Sequence, residues 1–502
     1  MTDPRTPVVI GVAQHTQRPD DVADVRAALE PVDLMARCVR DADTDAGGRS
    51  LLARLDTIFV PQPLSRRYPD PGALVARRLG IEGVSSVRAL VGGNSPQLIL
   101  NEAAASIARG ERDVVVLTGA EAQYSRVRAR RDRVELPWER ADVEACPNEI
   151  GDSAPGSSSE EFAHGAGLPI HVYPMFETAI RHRMGRGVDE HQRAVGALWA
   201  RLAAAAARNP HAWSPTAWSP EQIVHAAPDN RVVAFPYTKR MCANLTVDMG
   251  AAVLMTSLAT ARDAGVPDDR IVYPLAGADA HDHVLITERD SLADSPALRT
   301  AARAALAAAH CDVDAVARFD LYSCFPSAVE VALDALSLSA HDERPVSLTG
   351  GLAFFGGPGN NYVTHSIASA VESCRADPGS RTLVTGVGWY LTKHSVGLYS
   401  TTPPEGGFTR VDPSITQAEV DALPRRQPAG AHDGDVVLEA TAVVHDRDGS
   451  PETAIVAGLT DDGRRALAVC ASADATAAMV DEPWEGRRVT LHRDDDVNRV
   501  DV

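Results

Sequence analysis

The chain has 502 residues, of which 44% are hydrophobic, and its formal net charge at pH 7 is −19. One hydrophobic core rarely grows beyond about 250–300 residues, so this length indicates more than one lobe. Because nucleic acids and anionic membrane surfaces are held by basic side chains, the acidic balance argues against both as partners.

Targeting and redox signals point to the cytoplasm. Apolar runs stay well short of the roughly 20 residues that span a bilayer, so we expect no membrane association. The N-terminus lacks the basic and apolar regions of a signal peptide. The seven cysteines are scattered and never closely paired, which indicates neither a disulfide framework nor a cysteine-based metal site. We therefore expect a reduced cytoplasmic protein with no metal and no required cofactor.

Short apolar runs alternate with helical patterns over the first 120 residues. Such alternation indicates a parallel sheet covered by helices. In chain order, the pattern predicts strand 8–13, helix 32–39, strand 56–60, helix 71–79, strand 87–91, helix 102–109 and strand 114–117.

The sequence also contains an internal repeat. Segments 88–119 and 346–386 both run through a Gly-Gly pair, a helical stretch, a buried strand and Thr-Gly. Such self-similarity is typical of a duplicated fold. Residues 123–245 differ in composition, with an Arg-rich stretch at 126–133, and the sheet pattern returns at 248–254.

The C-terminal region changes composition after a polar linker at 424–434. Residues 435–492 alternate with period two, and Asp448-Gly449 and Asp462-Gly463 supply hairpin turns. The strands predicted there are 436–444, 453–459, 466–470 and 487–492. Because few helical residues intervene, the pattern predicts a small, separate, OB-like antiparallel β-barrel over residues 425–502.

Several motifs in the body match a known family pattern. They are Asn244–Ala252, Phe319–Phe325, Gly350-Gly351 and Gly356-Gly357-Pro358. On these motifs, the chain resembles the thiolase superfamily, and within it the SCP2-type thiolases, over roughly residues 5–402. The resemblance implies a duplicated, five-layered αβαβα body. It places an N-terminal half at 1–265, with a loop domain at about 123–245, and a C-terminal half at 266–402.

The same resemblance implies acyl-CoA as ligand or substrate and acyl transfer in lipid metabolism as the nominal activity, as in an acetyl-CoA acetyltransferase. Members of the family usually form homodimers through the strand before the nucleophile helix, which is 87–91 here. The Arg-rich run Arg126–Arg133 is a candidate for contacts with the phosphates of CoA, and a solvated face is the alternative.

The catalytic residues of the family are not matched. Thiolases attack the acyl-CoA with a cysteine at a helix N-terminus, where the helix dipole lowers the thiol pKa. The matching position here is Ser95, for which the alternative role is a helix N-cap. The histidine of Gly-His-Pro is replaced by Gly357, and the run that ends at Gly386 contains no cysteine. Thiolase activity is therefore predicted to be weak or absent.

Tyr322, Cys324 and Tyr362 remain as candidate catalytic residues. Tyr322 occupies the position of a family Asn or His, and Tyr362 follows the glycine loop. The pattern is similar to thiolase-fold aldolases that cleave steroid side-chain CoA thioesters with paired tyrosines and a small β-barrel partner. A retro-aldol lyase for a 3-hydroxyacyl-CoA is thus an alternative, provided that neighbours lower a tyrosine pKa from about 10. Structural packing is the competing role for the tyrosines and for Cys324.

The glycine loop is the predicted ligand contact. Glycine lets the backbone approach a bound thioester and offer N–H groups to an oxyanion, although tight turns alone also explain these residues. The predicted contacts are Gly351, Gly356, Gly357, Pro358 and Gly386. His394 is expected on the surface or in the core rather than in catalysis. A third reading is a non-catalytic protein that binds acyl-CoA, or a protein partner through its barrel.

Overall fold

The computed structural model describes residues 2–139 and 143–500, so the middle region 123–245 includes three residues outside the described part. The described residues form an α/β body and a C-terminal barrel, which confirms the fold class expected from the sequence. No helix in this part of the chain is both long enough and apolar enough to cross a membrane.

The first part of the body alternates strands and helices as predicted. The elements are β1 (Pro7–Thr16), α1 (Pro31–Asp45), β2 (Thr57–Pro61), α2 (Pro71–Leu79), β3 (Ser85–Ala89), α3 (Ser95–Ala108), β4 (Val114–Ala122) and α4 (Gln123–Asp132). Each predicted element is present, although α3 begins earlier than its apolar pattern indicated. The start of α3 contains the polar residues Asn94, Ser95 and Gln97, so its first turn lacks the apolar periodicity from which the helix was predicted.

The middle region supplies helices and short strands, and the second half then repeats the alternation. The middle elements are β5 (Glu149–Ile150), α5 (Ser159–Ala163), α6 (Pro169–Arg183), α7 (Val188–Ala206), α8 (Pro220–Val224), β6 (Val232–Phe235) and β7 (Tyr237–Thr238). The later elements are β8 (Asp248–Ser257), α9 (Leu258–Asp263), β9 (Tyr273–His281), α10 (Pro296–Ala308), β10 (Arg318–Asp320), α11 (Pro326–Ala335), α12 (Gly351–Phe354), α13 (Tyr362–Ala376), β11 (Thr382–Gly388), β12 (Lys393–Ser400), β13 (Thr409–Arg410) and α14 (Pro413–Asp421).

Helix α2 shows how local sequence sets the ends of an element. The Asp70 side chain accepts the backbone N–H of Ala73 at 2.9 Å, and Pro71 occupies the first helical position, where no N–H is needed. Gly80 ends the helix with a φ of 73°, a left-handed conformation that glycine adopts without a steric penalty. These signals explain why the predicted and observed bounds of α2 agree.

Two sheets and three helical layers make up the body. Sheet 1 has the strand order β1-β8-β4-β2-β3-β5, and sheet 2 has the order β10-β11-β12-β9-β13. Helices α3 and α13 lie between the sheets and contact both, while α1 and α2 cover the outside of sheet 1 and α10 and α14 cover the outside of sheet 2. This is the five-layered αβαβα arrangement expected from the family resemblance.

The edge of sheet 1 differs from the expectation of a dimer contact through the strand near 87–91. Strand β3 pairs in parallel with β5 of the same chain, through Arg88 with Glu149 and Ala89 with Ile150. The Leu90 N–H also donates to the Ile150 carbonyl at 2.9 Å. The backbone groups that a second copy would need at this edge are therefore already paired within the chain.

The C-terminal region closes into a ring of strands, which confirms the predicted barrel. Its elements are β14 (Gly434–His445), β15 (Pro451–Leu459), β16 (Arg465–Cys470), α15 (Ala473–Asp481), β17 (Arg488–Asp494) and β18 (Val497–Val500). The ring runs β14-β15-β16-β18-β17 and returns to β14. Its pairs are antiparallel except for β16 with β18, which is parallel, so the barrel is not purely antiparallel as predicted. Helix α15 and strand β18 were not predicted.

The barrel is packed against the body rather than set apart as a separate lobe. Strand β6 of the middle region pairs with β14, and Ala440, Ile455 and Leu467 belong to the hydrophobic core of the body. Helix α6 contacts the barrel through Thr178, whose hydroxyl donates to the Thr441 carbonyl at 2.9 Å. The alternating pattern that predicted the strands does not reveal which barrel face is covered by another part of the chain.

A buried ion pair also joins α6 to the barrel. The Arg181 guanidinium donates to the Glu485 carboxylate, and their side chains are 5% and 0% exposed. The other carboxylate oxygen accepts the Thr441 hydroxyl at 2.7 Å. Removing one member of such a pair leaves an uncompensated buried charge.

We expect Arg181→Ala to lower the free energy of unfolding by about 3–5 kcal/mol, because Glu485 would remain buried without its cation. The control is Arg183→Ala, since Arg183 and its partner Asp334 are each 37% exposed and the pair contributes at most about 1 kcal/mol. Urea unfolding followed by circular dichroism measures both. Equal losses in the two variants would contradict the assignment of this ion pair as a main contact between barrel and body.

Candidate functional site

The candidate residues of both halves meet between the two sheets, near the N-terminal ends of α3 and α13. The Tyr322 hydroxyl lies against Gly93, where an added Cβ would be 2.2 Å from the phenolic oxygen. The rings of Tyr322 and Tyr362 are 5.6 Å apart and nearly perpendicular. The structure thus brings the two tyrosines together beside the loop before Ser95, while their catalytic roles stay predictions.

Ser95 is held by its own loop. It is the first residue of α3 and is 3% exposed, and its hydroxyl donates to the Leu90 carbonyl at 2.8 Å. The N-cap residue is Asn94, so the alternative role of Ser95 as an N-cap is wrong. A backbone carbonyl holds the hydroxyl proton without being able to remove it, so this contact does not activate a nucleophile.

The run in which the second family cysteine is expected, 383–386, ends at a glycine that is packed tightly against the opposite half. At Gly386, an added Cβ would lie 2.8 Å from the Asn94 Cα. The other half mirrors this contact, because a Cβ at Gly119 would lie 2.2 Å from Oδ1 of Asn361. Any larger residue at Gly386 would therefore displace the loop before α3. Close packing explains this glycine, and its predicted contact with a ligand stays a prediction.

The glycine loop is stabilised by contacts with the middle region. The Gly357 N–H donates to the Asn244 carbonyl at 2.8 Å, so it is not free to stabilise an oxyanion. Gly356 has a φ of 117°, which favours glycine on conformational grounds alone. The tight-turn explanation accounts for both residues. The ligand contacts predicted for Gly351, Gly356, Gly357 and Pro358 stay predictions.

Both tyrosines are poor proton acceptors. Tyr362 is fully buried, and its hydroxyl lies 2.6 Å from the Thr349 hydroxyl. Burial raises the pKa of Tyr322 and the pKa of Tyr362 well above the usual value of 10. The lowered tyrosine pKa that a retro-aldol base requires is therefore absent here. In their protonated form, the phenols can donate hydrogen bonds or serve as acids.

The surroundings of Cys324 favour its structural alternative, while its catalytic role stays a prediction. It is 8% exposed, and its backbone carbonyl accepts the Ala243 N–H at 3.1 Å. Burial raises the pKa of the Cys324 thiol to about 12. Because the thiolate is the nucleophilic form, a thiol with this pKa is inert at neutral pH.

Two buried residues near the site were not singled out from the sequence. Asp320 accepts the Leu348 N–H at 2.7 Å and the Ser366 hydroxyl at 2.7 Å, and it also accepts the hydroxyl of Thr349, which contacts Tyr362. It lies within the Phe319–Phe325 motif, so that motif contained the only available signal. These contacts position the tyrosine through Thr349.

His365 is the second of these residues and lies one turn after Tyr362. Its Nδ1 is 3.0 Å from the Gln14 amide oxygen, and its ring packs edge-on against Phe355. Burial lowers the pKa of His365 to about 3, with a smaller contribution from His211. The histidine is therefore neutral at physiological pH, and neither ring nitrogen hydrogen-bonds to Ser95.

The remaining predicted residues have structural partners. His394 is buried, with Nε2 3.0 Å from the Ser295 hydroxyl, which agrees with the expected core role. In the Arg-rich run, Arg126 and Arg128 donate to the backbone carbonyls of Ser65 and Val22. These two guanidiniums are occupied within the chain, and the proposed phosphate contact rests on the exposed residues of the run.

The His365 pKa leads to a pH-dependent stability. The pKa of His365 is near 6.5 in the unfolded chain and about 3 in the folded chain. Between these two pH values the unfolded chain therefore binds a proton at this histidine and the folded chain does not. Stability from this group is therefore present above pH 6.5 and is lost as the pH falls. Between pH 8 and pH 5, the wild type should lose about 2 kcal/mol more than His365→Gln.

Urea unfolding at the two pH values measures this difference, with His341→Gln as a control at an exposed histidine. The control should lose as much stability as the wild type over this pH range. A wild type and a His365→Gln variant with the same pH dependence would contradict the neutral, buried state of His365.

Comparison with known proteins places this geometry in a family. The family model for the thiolase-like protein type 1 additional C-terminal domain matches residues 416–496. Two solved structures are similar in fold alone. The Ltp2-ChsH2(DUF35) aldolase is 19% identical, with a TM-score of 0.60 over 79% of this chain and 98% of that chain. Acetyl-CoA acetyltransferase from Syntrophomonas wolfei is 15% identical, with a TM-score of 0.56 over 79% of this chain and 99% of that chain.

A third structure matches from end to end. It is a monomeric SCP2-thiolase-like protein type 1 from Mycobacterium smegmatis, 33% identical, with a TM-score of 0.86 over 100% of both chains. The match includes the barrel as well as the body. The chain therefore belongs to the SCP2-thiolase-like proteins of type 1, within the thiolase superfamily.

Proposed function

We propose that this chain binds an acyl-CoA and does not catalyse thiolysis or Claisen condensation. The observation that carries the proposal is the environment of Ser95, whose hydroxyl is hydrogen-bonded to Leu90 within its own loop. Gly357 occupies the position of the family's base, and the run 383–386, where the second family cysteine is expected, contains no cysteine. No set of groups for the acyl-transfer steps remains at the family positions.

An exposed apolar contact supports the ligand assignment. Leu245 is 57% exposed and lies over Gly357, where an added Cβ would be 3.3 Å from its methyl group. The family resemblance assigns acyl-CoA to this side of the body, and one of the similar structures is described as an acetyl-CoA acetyltransferase. We assign CoA thioesters as the ligand class, with Leu245 at the entrance.

We further propose that the protein is cytoplasmic and monomeric. All seven cysteines are free thiols, which supports a reducing compartment. The pairing of β3 with β5 supports a monomer, as does the relative described as monomeric. One similar structure is named as an assembly with a DUF35 partner, whereas the barrel here is part of the chain and is anchored through Arg181. Its outer surface is the proposed site for any protein partner.

The test is to incubate the chain with acetoacetyl-CoA and free CoA and to measure acetyl-CoA by mass spectrometry. We expect no acetyl-CoA above the background without protein, together with saturable binding of acetoacetyl-CoA in titration calorimetry. Ser95→Ala should bind equally well, since the Ser95 hydroxyl is hydrogen-bonded within its own loop. Acetyl-CoA production that Ser95→Ala or Cys324→Ala abolishes would overturn the claim of inactivity. Failure of the folded chain to bind any CoA thioester would overturn the ligand assignment.

A retro-aldol lyase is the second candidate, and the perpendicular packing of Tyr322 on Tyr362 favours it. One of the similar structures is described as an aldolase, which supports the same reaction class. The raised pKa of both phenols limits them to donating a proton, so the base would have to come from elsewhere. This requirement ranks the lyase below the binding protein.

A panel of 3-hydroxyacyl-CoA thioesters separates the two candidates, and we expect none to be cleaved. If cleavage occurs, Tyr362→Phe should lower its rate by about 10²–10⁴-fold, which is the usual contribution of an acid–base group. Tyr399→Phe is the control, because Tyr399 is also fully buried and its hydroxyl donates instead to Gln97 at 2.9 Å. Cleavage that survives Tyr362→Phe unchanged would exclude this residue from the reaction.

A further inference from the structure

A buried cluster between the middle region and α11 contains none of the candidate residues of the site between the sheets. It contains Glu177 on α6, His191 on α7 and Glu330 on α11, with one candidate ligand atom of each residue within 4.8 Å of the others. The three side chains are 1%, 2% and 9% exposed. Two buried carboxylates this close together are unfavourable unless a proton or a cation lies between them.

The side chains converge on one point. His191 Nε2 is 2.6 Å from Oε1 of Glu177 and 3.8 Å from Oε2 of Glu330. Among the described residues, Oε2 of Glu330 has no hydrogen-bond partner, although it is buried and directed at the cluster. A ligand from outside the chain would satisfy this oxygen, and a proton shared with Glu177 is the alternative that the experiment below distinguishes.

We propose that Glu177, His191 and Glu330 bind one divalent transition-metal ion, with Zn²⁺ as the preferred ion. Imidazole and carboxylate together suit Zn²⁺ better than Mg²⁺, which favours oxygen ligands alone. Bonds of about 2.1 Å at tetrahedral angles place ligand atoms about 3.4 Å apart. The observed separations of 2.6 and 3.8 Å bracket this value, so small side-chain movements are sufficient.

The surroundings orient Glu177, whereas Nδ1 of His191 has no hydrogen-bond partner among the described residues. The second oxygen of Glu177 accepts the Tyr237 hydroxyl at 2.6 Å, and that hydroxyl lies 2.8 Å from the Ser327 hydroxyl. Hydrogen bonds of this kind fix the rotamer of a metal-binding carboxylate. Oε1 of Glu330 faces Arg186 at 4.0 Å, which leaves Oε2 for the ion.

Two cavities adjoin the cluster. Glu330 lines a cavity of about 580 Å³ between α7 and α11, whose wall contains both acidic and basic side chains, among them Glu190 and Arg201. Glu177 and His191 line a separate void of about 10 Å³ on the side of Phe235. Three protein ligands leave a fourth position for water, as in zinc sites that are open to a cavity.

The experiment uses the full chain, stripped of metal with a chelator and dialysed. Titration calorimetry with Zn²⁺ should show one site per chain, and Co²⁺ should produce the visible absorption of a tetrahedral ion. Mg²⁺ should show neither effect. Glu330→Gln and His191→Gln should each weaken Zn²⁺ binding by at least about tenfold.

The matched control is Glu343→Gln, which changes an exposed carboxylate on the wall of the same cavity and should leave Zn²⁺ affinity unchanged. Circular dichroism confirms that each variant is folded. If His191→Gln does not fold, Glu330→Gln decides the test, because it removes a buried charge and retains the side-chain shape. The proposal is overturned if the folded wild type binds no Zn²⁺ stoichiometrically, or if Glu330→Gln binds it as tightly as the wild type does. Neither outcome bears on acyl-CoA binding.

Discussion

The placement of α3 and α13 side by side between two sheets is the constraint on which the rest of the structure depends. Both helices contact both sheets and are buried over most of their length, apart from the last turn of α13, where Glu372 and Ala376 are exposed. The central helices pack closely against a sheet at positions where its strands contain glycine. Added Cβ atoms at Gly277 and Gly397 of sheet 2 would lie 2.1 and 2.2 Å from side-chain atoms of α3.

This packing also determines the chemistry of the site. The polar groups at the two helix N-termini are satisfied within the protein: Asn361 donates to the Gly119 carbonyl at 2.7 Å, and Asn360 accepts the Gly92 N–H at 3.0 Å. Such closed networks in a low-dielectric interior leave few groups free for a substrate. The same burial raises the pKa of Tyr322 and of Cys324, because it disfavours their charged forms. The close packing of the duplicated core thus accounts for both the satisfied helix N-termini and the raised pKa values.

Sequence reasoning was most successful where local signals and tertiary structure agree. The bounds of α2 follow from Asp70, Pro71 and Gly80, and the barrel strands follow from period-two alternation. The pairing of β3 with β5 and of β6 with β14 was missed, because short strands acquire their partners only in the folded chain. Helix α15 was missed because its nine residues interrupt a pattern that otherwise indicates strands.

The candidate site could be predicted only in part. The family motifs correctly brought Tyr322 beside Tyr362, since both belong to segments that flank the glycine loop. Their protonation could not be predicted, because it depends on burial by residues far away in sequence. The cluster of Glu177, His191 and Glu330 shows the same limit, because its members are on three helices and form no motif.

The position of β8 has a consequence for how the chain acquires its structure. This strand lies between β1 and β4 in sheet 1, although the whole middle region separates it from both in sequence. Helix α13, which covers the inner face of that sheet, comes later still. Pairings between such distant segments close large loops, which makes folding slow and leaves apolar surface open meanwhile. Each half contributes the strands of one whole sheet, yet the inner face of sheet 1 stays partly uncovered until α13 of the second half has been synthesised.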